Sequence, residues 1–221
     1  MEKETMTIAD SIEDFKKELG ENVTLVAVSK TKPNELLMEA YEAGQRDLGE
    51  NKIQEMTDKA ESLPKDIRWH MVGHVQSNKV KYMAPYVYMV HAVDKYKTLK
   101  EINKRAKQHD RSIKCLLQLK IAEEDSKFGL SEADLKALLR KPEIKNLNNI
   151  RLSGLMGMAT FTDDEDQIHK EFDQLEQVYF ELKDEFGFDT LSMGMSGDYQ
   201  LAMKHHTNMV RIGSSIFGKR D

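Results

Sequence analysis

The chain has 221 residues, 39% of them apolar and 7% aromatic, enough for one buried core and too few for two large ones. Charged residues reach 32%, yet they sum to a formal net charge of −5 with no basic block, which argues against gripping nucleic-acid phosphates or an anionic membrane surface. A lone cysteine, Cys115, excludes a disulfide framework, no stretch approaches the ~18 apolar residues of a membrane span, and the acidic start MEKETMTIADSIEDF lacks a secretory apolar run, so a cytoplasmic protein is expected.

An amphipathic helix is predicted within residues 1–20, where Ile8, Ile12, Phe15 and Leu19 recur at helical spacing. Eight short strand candidates follow, at 24–29, 45–49, 67–72, 87–91, 113–119, 151–156, 190–193 and 208–212. Helical runs separate them, clearest at 34–43, 97–108, 131–140 and 164–186. Pro33 suits a first helical turn, and Ser131 reads as an N-cap. The acids Asp163, Asp164, Glu165 and Asp166 suit the start of another helix. This alternation predicts an α/β fold: a single (β/α)8 barrel over 1–221, with the N-terminal helix as an addition. A doubly wound open sheet would need a Gly-rich phosphate loop after the first strand, and SKTKPNE is not one.

In strand one, Val26, Val28 and Lys30 share a face. If that face points inward, Lys30 stands at the C-terminal rim, where barrel enzymes keep their sites. Partial desolvation there lowers the pKa of an amine, and a neutral amine attacks an aldehyde to give a Schiff base. On this residue alone, a strand-end lysine that snorkels to water is the commoner case. Lys32 competes, but it directly precedes Pro33 and is expected to have left the barrel wall. A Schiff-base lysine of a sugar-phosphate aldolase is a further alternative.

Two segments near the C-terminus weigh on that choice. Gly194-Met195-Ser196-Gly197-Asp198-Tyr199 follows strand seven, with Ser196 read as a helix N-cap. Arg211-Ile212-Gly213-Ser214-Ser215 ends strand eight at a turn into a short helix. Barrels recurrently bind phosphate in these two loops, although Gly and Ser are also ordinary turn residues. Arg211, a donor-only guanidinium facing inward, would leave a pyridine nitrogen unprotonated, which suits storage or racemisation better than transamination. A surface ion pair is its plainer role.

The blocks LVAVSKTKP, DLGENKIQE, WHMVGHVQSNK, SKFGL, GLMGMAT, LSMGMSGD and MVRIGSSIFG occur in order from residue 25 to 218. Together they resemble the pyridoxal-phosphate homeostasis protein family, whose barrel is similar to the N-terminal domain of alanine racemase. The resemblance implies that Lys30 carries pyridoxal 5'-phosphate as an aldimine. It implies phosphate contacts from Ser196, Gly213 and Ser214, a pyridine-nitrogen partner in Arg211, and Asn51 and Met156 close to the cofactor.

The implied function is vitamin B6 homeostasis without substantial turnover, by a monomer whose recipients are cofactor-requiring apoenzymes. An amino-acid racemase is the alternative; it would pair the lysine with a tyrosine, and Tyr199 is the only one near the phosphate segments. No metal site is expected. His70 and His74 would stand roughly 13 Å apart along a strand, and His205 and His206 would point to different faces of a helix. Trp69 and Cys115 read as core, and Gly154 and Gly157 as close approaches to the cofactor or tight strand packing.

Overall fold

The computed structural model describes residues 7–124 and 128–218. Expectations for residues 1–6, for Ser126 and Lys127 of the SKFGL block, and for Lys219 and Arg220 lie outside the described residues. The strands are β1 Thr24–Val28, β2 Asp47–Glu50, β3 Arg68–Met71, β4 Met89–Val93, β5 Ile113–Gln118, β6 Ile150–Met156, β7 Thr190–Met195 and β8 Met209–Ile212. Each pairs in parallel with the next, and β8 returns to β1 from Thr24↔Met209 to Ala27↔Ile212, closing the barrel. The eight expected strands are thus all present, with ends shifted by at most two residues. β2 starts two residues late, and the buried Gln45 side chain ahead of it donates to the carbonyls of Leu25 and Asp47.

The helices are α1 Ile8–Leu19, α2 Asn34–Glu42, α3 Ile53–Ser62, α4 Val80–Met83, α5 Tyr96–Gln108, α6 Glu132–Leu139, α7 Glu165–Phe186, α8 Tyr199–Ala202 and α9 Ser214–Phe217. Helix α1 begins with a capping box: the Thr7 hydroxyl accepts from Asp10 N–H, and the Asp10 carboxylate accepts from Thr7 N–H. Ser131 caps α6 and Asp164 caps α7, each accepting a backbone N–H three residues on. Pro33 stands at the N-cap of α2, one place earlier than expected. None of the described helices is long and apolar enough to cross a membrane.

Alternation along the strands makes two apolar layers. Outward residues such as Leu48, Trp69, Met71 and Cys115 pack beneath the helices, with Leu37 and Phe172 fully buried among them. Inward residues Val26, Met89, Ala92, Leu116, Met156 and Met209 fill the barrel, so its middle is packed side chain rather than pore. Gly154 is needed where β6 meets β7: a Cβ there would lie 1.7 Å from the Thr190 carbonyl oxygen, so its role is tight strand packing.

The strand starts hold a polar layer. Arg68 Nε donates to Asp47 Oδ1 over 2.8 Å, His70 Nε2 lies 2.9 Å from the same oxygen, and His70 Nδ1 lies 2.8 Å from His91 Nε2. Burial alone would raise the Asp47 carboxyl, but the bonds from Arg68 and His70 outweigh it and bring it down to about 2. Complete burial, with the charges of His70 and Arg211 adding to it, pushes His91 well below the ordinary imidazole range and keeps it neutral.

An Asp with its folded pKa depressed in this way contributes stability above its unfolded value near 3.8 and loses it as pH falls towards 2. The destabilisation caused by Asp47→Asn should therefore shrink by about 1 kcal/mol between pH 6 and pH 3. Urea unfolding of both proteins at the two pH values measures this, and an unchanged difference would contradict the assignment.

Candidate functional site

A cavity of about 660 Å³ opens at the C-terminal ends of the strands, where a (β/α)8 barrel keeps its ligand sites. Its wall includes Lys30 just past β1, Asn51 past β2, Arg211 in β8, and the turns holding Ser196, Gly213 and Ser214. Six of the seven residues that the sequence points to thus meet in one place. Met156 does not line this cavity. It is fully buried in the layer beneath, and Met158, two residues further on the same face, reaches the wall and packs on that layer.

Other placements differ from expectation. Lys32 lies past the end of β1, as expected, but it still lines the same cavity as Lys30. Tyr199 turns away: its hydroxyl donates to Glu18 over 2.9 Å and its ring meets Phe15, tying α8 to α1. Gly157 abuts Leu175 and Ile121, while its carbonyl accepts from Arg211. His74 lines the cavity and stacks on Phe128, whereas His70 is locked inside the barrel. His205 and His206 lie in the turn after α8 rather than on a helix, and both approach Glu176 of α7. His205 also meets Asp173 and His169, so this surface group is joined by its own ion pairs and hydrogen bonds.

Ser196 is not a helix cap. Helix α8 starts three residues later, after Asp198, whose carboxylate instead accepts from Met195 N–H. The Ser196 hydroxyl accepts the Gly213 N–H over 3.1 Å and so bridges the turns after β7 and β8. With its oxygen lone pair engaged, its O–H is left to donate. Helix α9 begins at Ser214, and its first N–H groups have no partner within the helix. Arg211 is 5% exposed. One Nη donates to the Ser192 hydroxyl and the other to the Gly157 carbonyl. Burial lowers its pKa to about 10, with Asp198 opposing the shift, so it remains a cation at neutral pH.

Behind the rim lies a group of charges without a counterpart in the sequence reading. Lys59 of α3, 6% exposed, donates to the Ser29 carbonyl (2.9 Å), Glu50 Oε1 (2.8 Å) and Glu55 Oε1 (2.7 Å). The Ser29 hydroxyl donates to the same Glu50 oxygen over 2.6 Å, and Thr31 N–H donates to Glu55 Oε1 over 2.6 Å. Thr31 has φ of 64°, a left-handed conformation that costs a β-branched residue about 1–2 kcal/mol. Burial raises the Glu50 carboxyl to about 6 against the pull of Lys59 and Ser29. Burial pushes Glu55 the same way, but the bonds from Lys59 and Thr31 win and hold it below the usual range.

The barrel and its rim define a ligand-binding protein of the alanine racemase N-terminal fold. The family model described as alanine racemase, N-terminal domain, matches residues 5–221, and the chain belongs to that family. It is 42% identical over 208 residues to the pyridoxal phosphate homeostasis protein of Vibrio alginolyticus, covering 91% of this chain and 88% of that one. It is 38% identical to the protein of the same name from Schizosaccharomyces pombe, over 91% and 86% of the two chains. Among solved structures, PipY of Synechococcus elongatus without pyridoxal phosphate superposes with a TM-score of 0.90 at 33% identity, over 96% of this chain and all of that one. PipY with pyridoxal phosphate bound gives 0.86 at 32% identity, over 96% and 100%. An alanine racemase of Clostridium difficile shares the fold at 15% identity, with a TM-score of 0.79 over 97% of this chain and 57% of that one.

The Ser196–Gly213 bridge carries its own prediction. Ser196→Ala strips the half-buried Gly213 N–H of its acceptor and should cost about 1 kcal/mol, read as a lower urea midpoint with an unchanged slope. A midpoint equal to that of the parent would mean that the bridge does not join the two turns.

Proposed function

We propose that this chain holds pyridoxal 5'-phosphate as a Schiff base on Lys30 and acts in vitamin B6 homeostasis as a cytoplasmic carrier without substantial turnover. The observation that carries the reading is the sharing of one cavity wall by Lys30, Arg211 and the bridged β7 and β8 turns. The name shared by the curated relatives and the cofactor-bound PipY structure support it.

The donor set fits the group. The cofactor supplies an aldehyde: a lysine nitrogen adds to its carbon, and the carbonyl oxygen leaves as water with two protons from the amine. Lys30 provides the primary amine at the rim. The Ser196 hydroxyl and the first N–H groups of α9 at Ser214 take the phosphate, with Gly213 holding the two turns together through its N–H. Arg211, fixed by Ser192 and Gly157, presents a cation with donors only, which leaves the ring nitrogen unprotonated and the ring a poor electron sink. Asn51, just past β2 on the same cavity wall, would border the ring.

A racemase of the lysine–tyrosine kind needs a second base across the ring. Among the described residues, no tyrosine lines the cavity, and Tyr199 is committed to Glu18. The carrier acts as a monomer of one barrel domain, and its recipients are apoenzymes that use the same cofactor.

Titrating the protein with pyridoxal phosphate should build a visible absorbance band that Lys30→Ala abolishes and Lys32→Ala retains. Arg211→Ala should keep some cofactor with an altered spectrum. Steady amino-acid racemisation on the order of 1 per second or more would refute the carrier reading, and a colourless titration would refute the cofactor.

A further inference from the structure

Lys30 is the one residue between Ser29 and Thr31, and both of its neighbours are gripped from behind. Ser29 gives its carbonyl to Lys59 and its hydroxyl to Glu50, while Thr31 gives its N–H to Glu55. Lys59 joins the two carboxylates and reaches the third grip point itself. Glu50 and Ser29 are fully buried and Lys59 nearly so. None of the three charged residues belongs to the expected site. Lys59 is drawn out of water although an exposed helix position would cost it less.

An ion triad with two members buried and the third, Glu55, half-buried is weak evidence for stability, because apolar residues of similar volume often do as well. A stronger reason to keep it is geometric. Thr31 sits in a backbone conformation that only its surroundings can impose, and that conformation sets where the chain leaves β1 and so where the Lys30 side chain starts. Condensation with an aldehyde requires the nitrogen at the carbonyl carbon on the correct approach, and small misplacements there are costly. Glu50 also directly precedes Asn51, so the same triad fixes the departure of the chain from β2.

We infer that Glu50, Glu55 and Lys59 are positioning residues that brace the Ser29–Thr31 backbone so that the Lys30 amine meets the cofactor aldehyde. This rests on the carrier reading above. In the step concerned, the Lys30 nitrogen bonds to the aldehyde carbon, two protons pass from nitrogen to oxygen, and water departs; no oxidant or reductant is needed. The triad touches none of the reacting atoms. It acts through the two peptide units flanking Lys30.

The test compares two ligands on the full-length chain and its variants. Pyridoxal phosphate can condense with Lys30, whereas pyridoxamine phosphate has the same ring and phosphate but no aldehyde. In Glu55→Ala, the fraction trapped by borohydride with pyridoxal phosphate should fall roughly tenfold or more at a fixed sub-saturating concentration, while affinity for pyridoxamine phosphate changes less than about twofold. Glu55→Gln should recover most of the loss, since its amide oxygen still accepts the Thr31 N–H. Lys59→Met should behave like Glu55→Ala. In the cofactor-free protein, amide exchange at Thr31 should accelerate in Glu55→Ala and stay unchanged in a control, Asp66→Asn.

Parallel weakening of both ligands, or trapping in Glu55→Ala equal to that of the parent, would overturn the brace. Its failure is distinguishable from failure of the carrier reading, in which the parent itself traps no pyridoxal phosphate. The amide-exchange comparison needs no cofactor: unchanged exchange at Thr31 in Glu55→Ala would overturn the brace by itself.

Discussion

Parallel hydrogen bonding between β8 and β1 carries the chain around to its own beginning, and the site depends on that closure. A Cβ on Gly213 would come within 3.2 Å of the Val28 carbonyl oxygen, so the last βα turn lies directly against the end of the first strand. An amine that leaves the chain two residues after Val28 is then beside the bridged turns after β7 and β8 without any loop having to reach for it. Register fixes the rest. Because side chains alternate, pairing Val26 with Arg211 turns both into the barrel, one as packing and the other as the cation at the cavity wall.

The interior is divided by polarity along its length. At the strand starts, Asp47, Arg68, His70 and His91 are bound to one another; in the middle, Val26, Leu116, Met156 and Met209 exclude water; at the strand ends, Arg211 is held by neutral acceptors. Sealed in this way, Arg211 is 5% exposed and is held in place by Ser192 and Gly157 alone among the hydrogen bonds described. The cost of burying a guanidinium shows as its lowered pKa. That cost is tolerable because each Nη keeps a hydrogen bond.

Much of this was legible in the chain. Strands buried on both faces read as short apolar runs, and their eightfold alternation with helices specified the barrel. Lys30, Arg211 and the Gly/Ser turns were found because strand ends can be counted and because the family resemblance picks out the same residues. The triad behind Lys30 was invisible for a physical reason. Glu55 and Lys59, one turn apart on α3, look like a solvated helix face, and only the packing of that helix beneath the ends of β1 and β2 turns them inward. The acid Glu50 at a strand end was the one signal available, since β2 is otherwise buried on all sides. Ser196 reads as a cap from sequence because a Ser before a helix usually serves its own helix; in the fold its partner is 17 residues away on the neighbouring turn. Met156 and Met158 occupy the same face, and sequence alternation does not say which of them tops the packed layer.

The central claim concerns which nitrogen bears the cofactor, and among the described residues two lysines, Lys30 and Lys32, line the cavity. Borohydride reduction of the protein incubated with pyridoxal phosphate, followed by proteolysis and mass mapping, reads that nitrogen directly. The account predicts a single stoichiometric adduct on the peptide containing Lys30. An adduct on Lys32 instead, or label scattered over surface lysines with Lys30 unmodified, would contradict it.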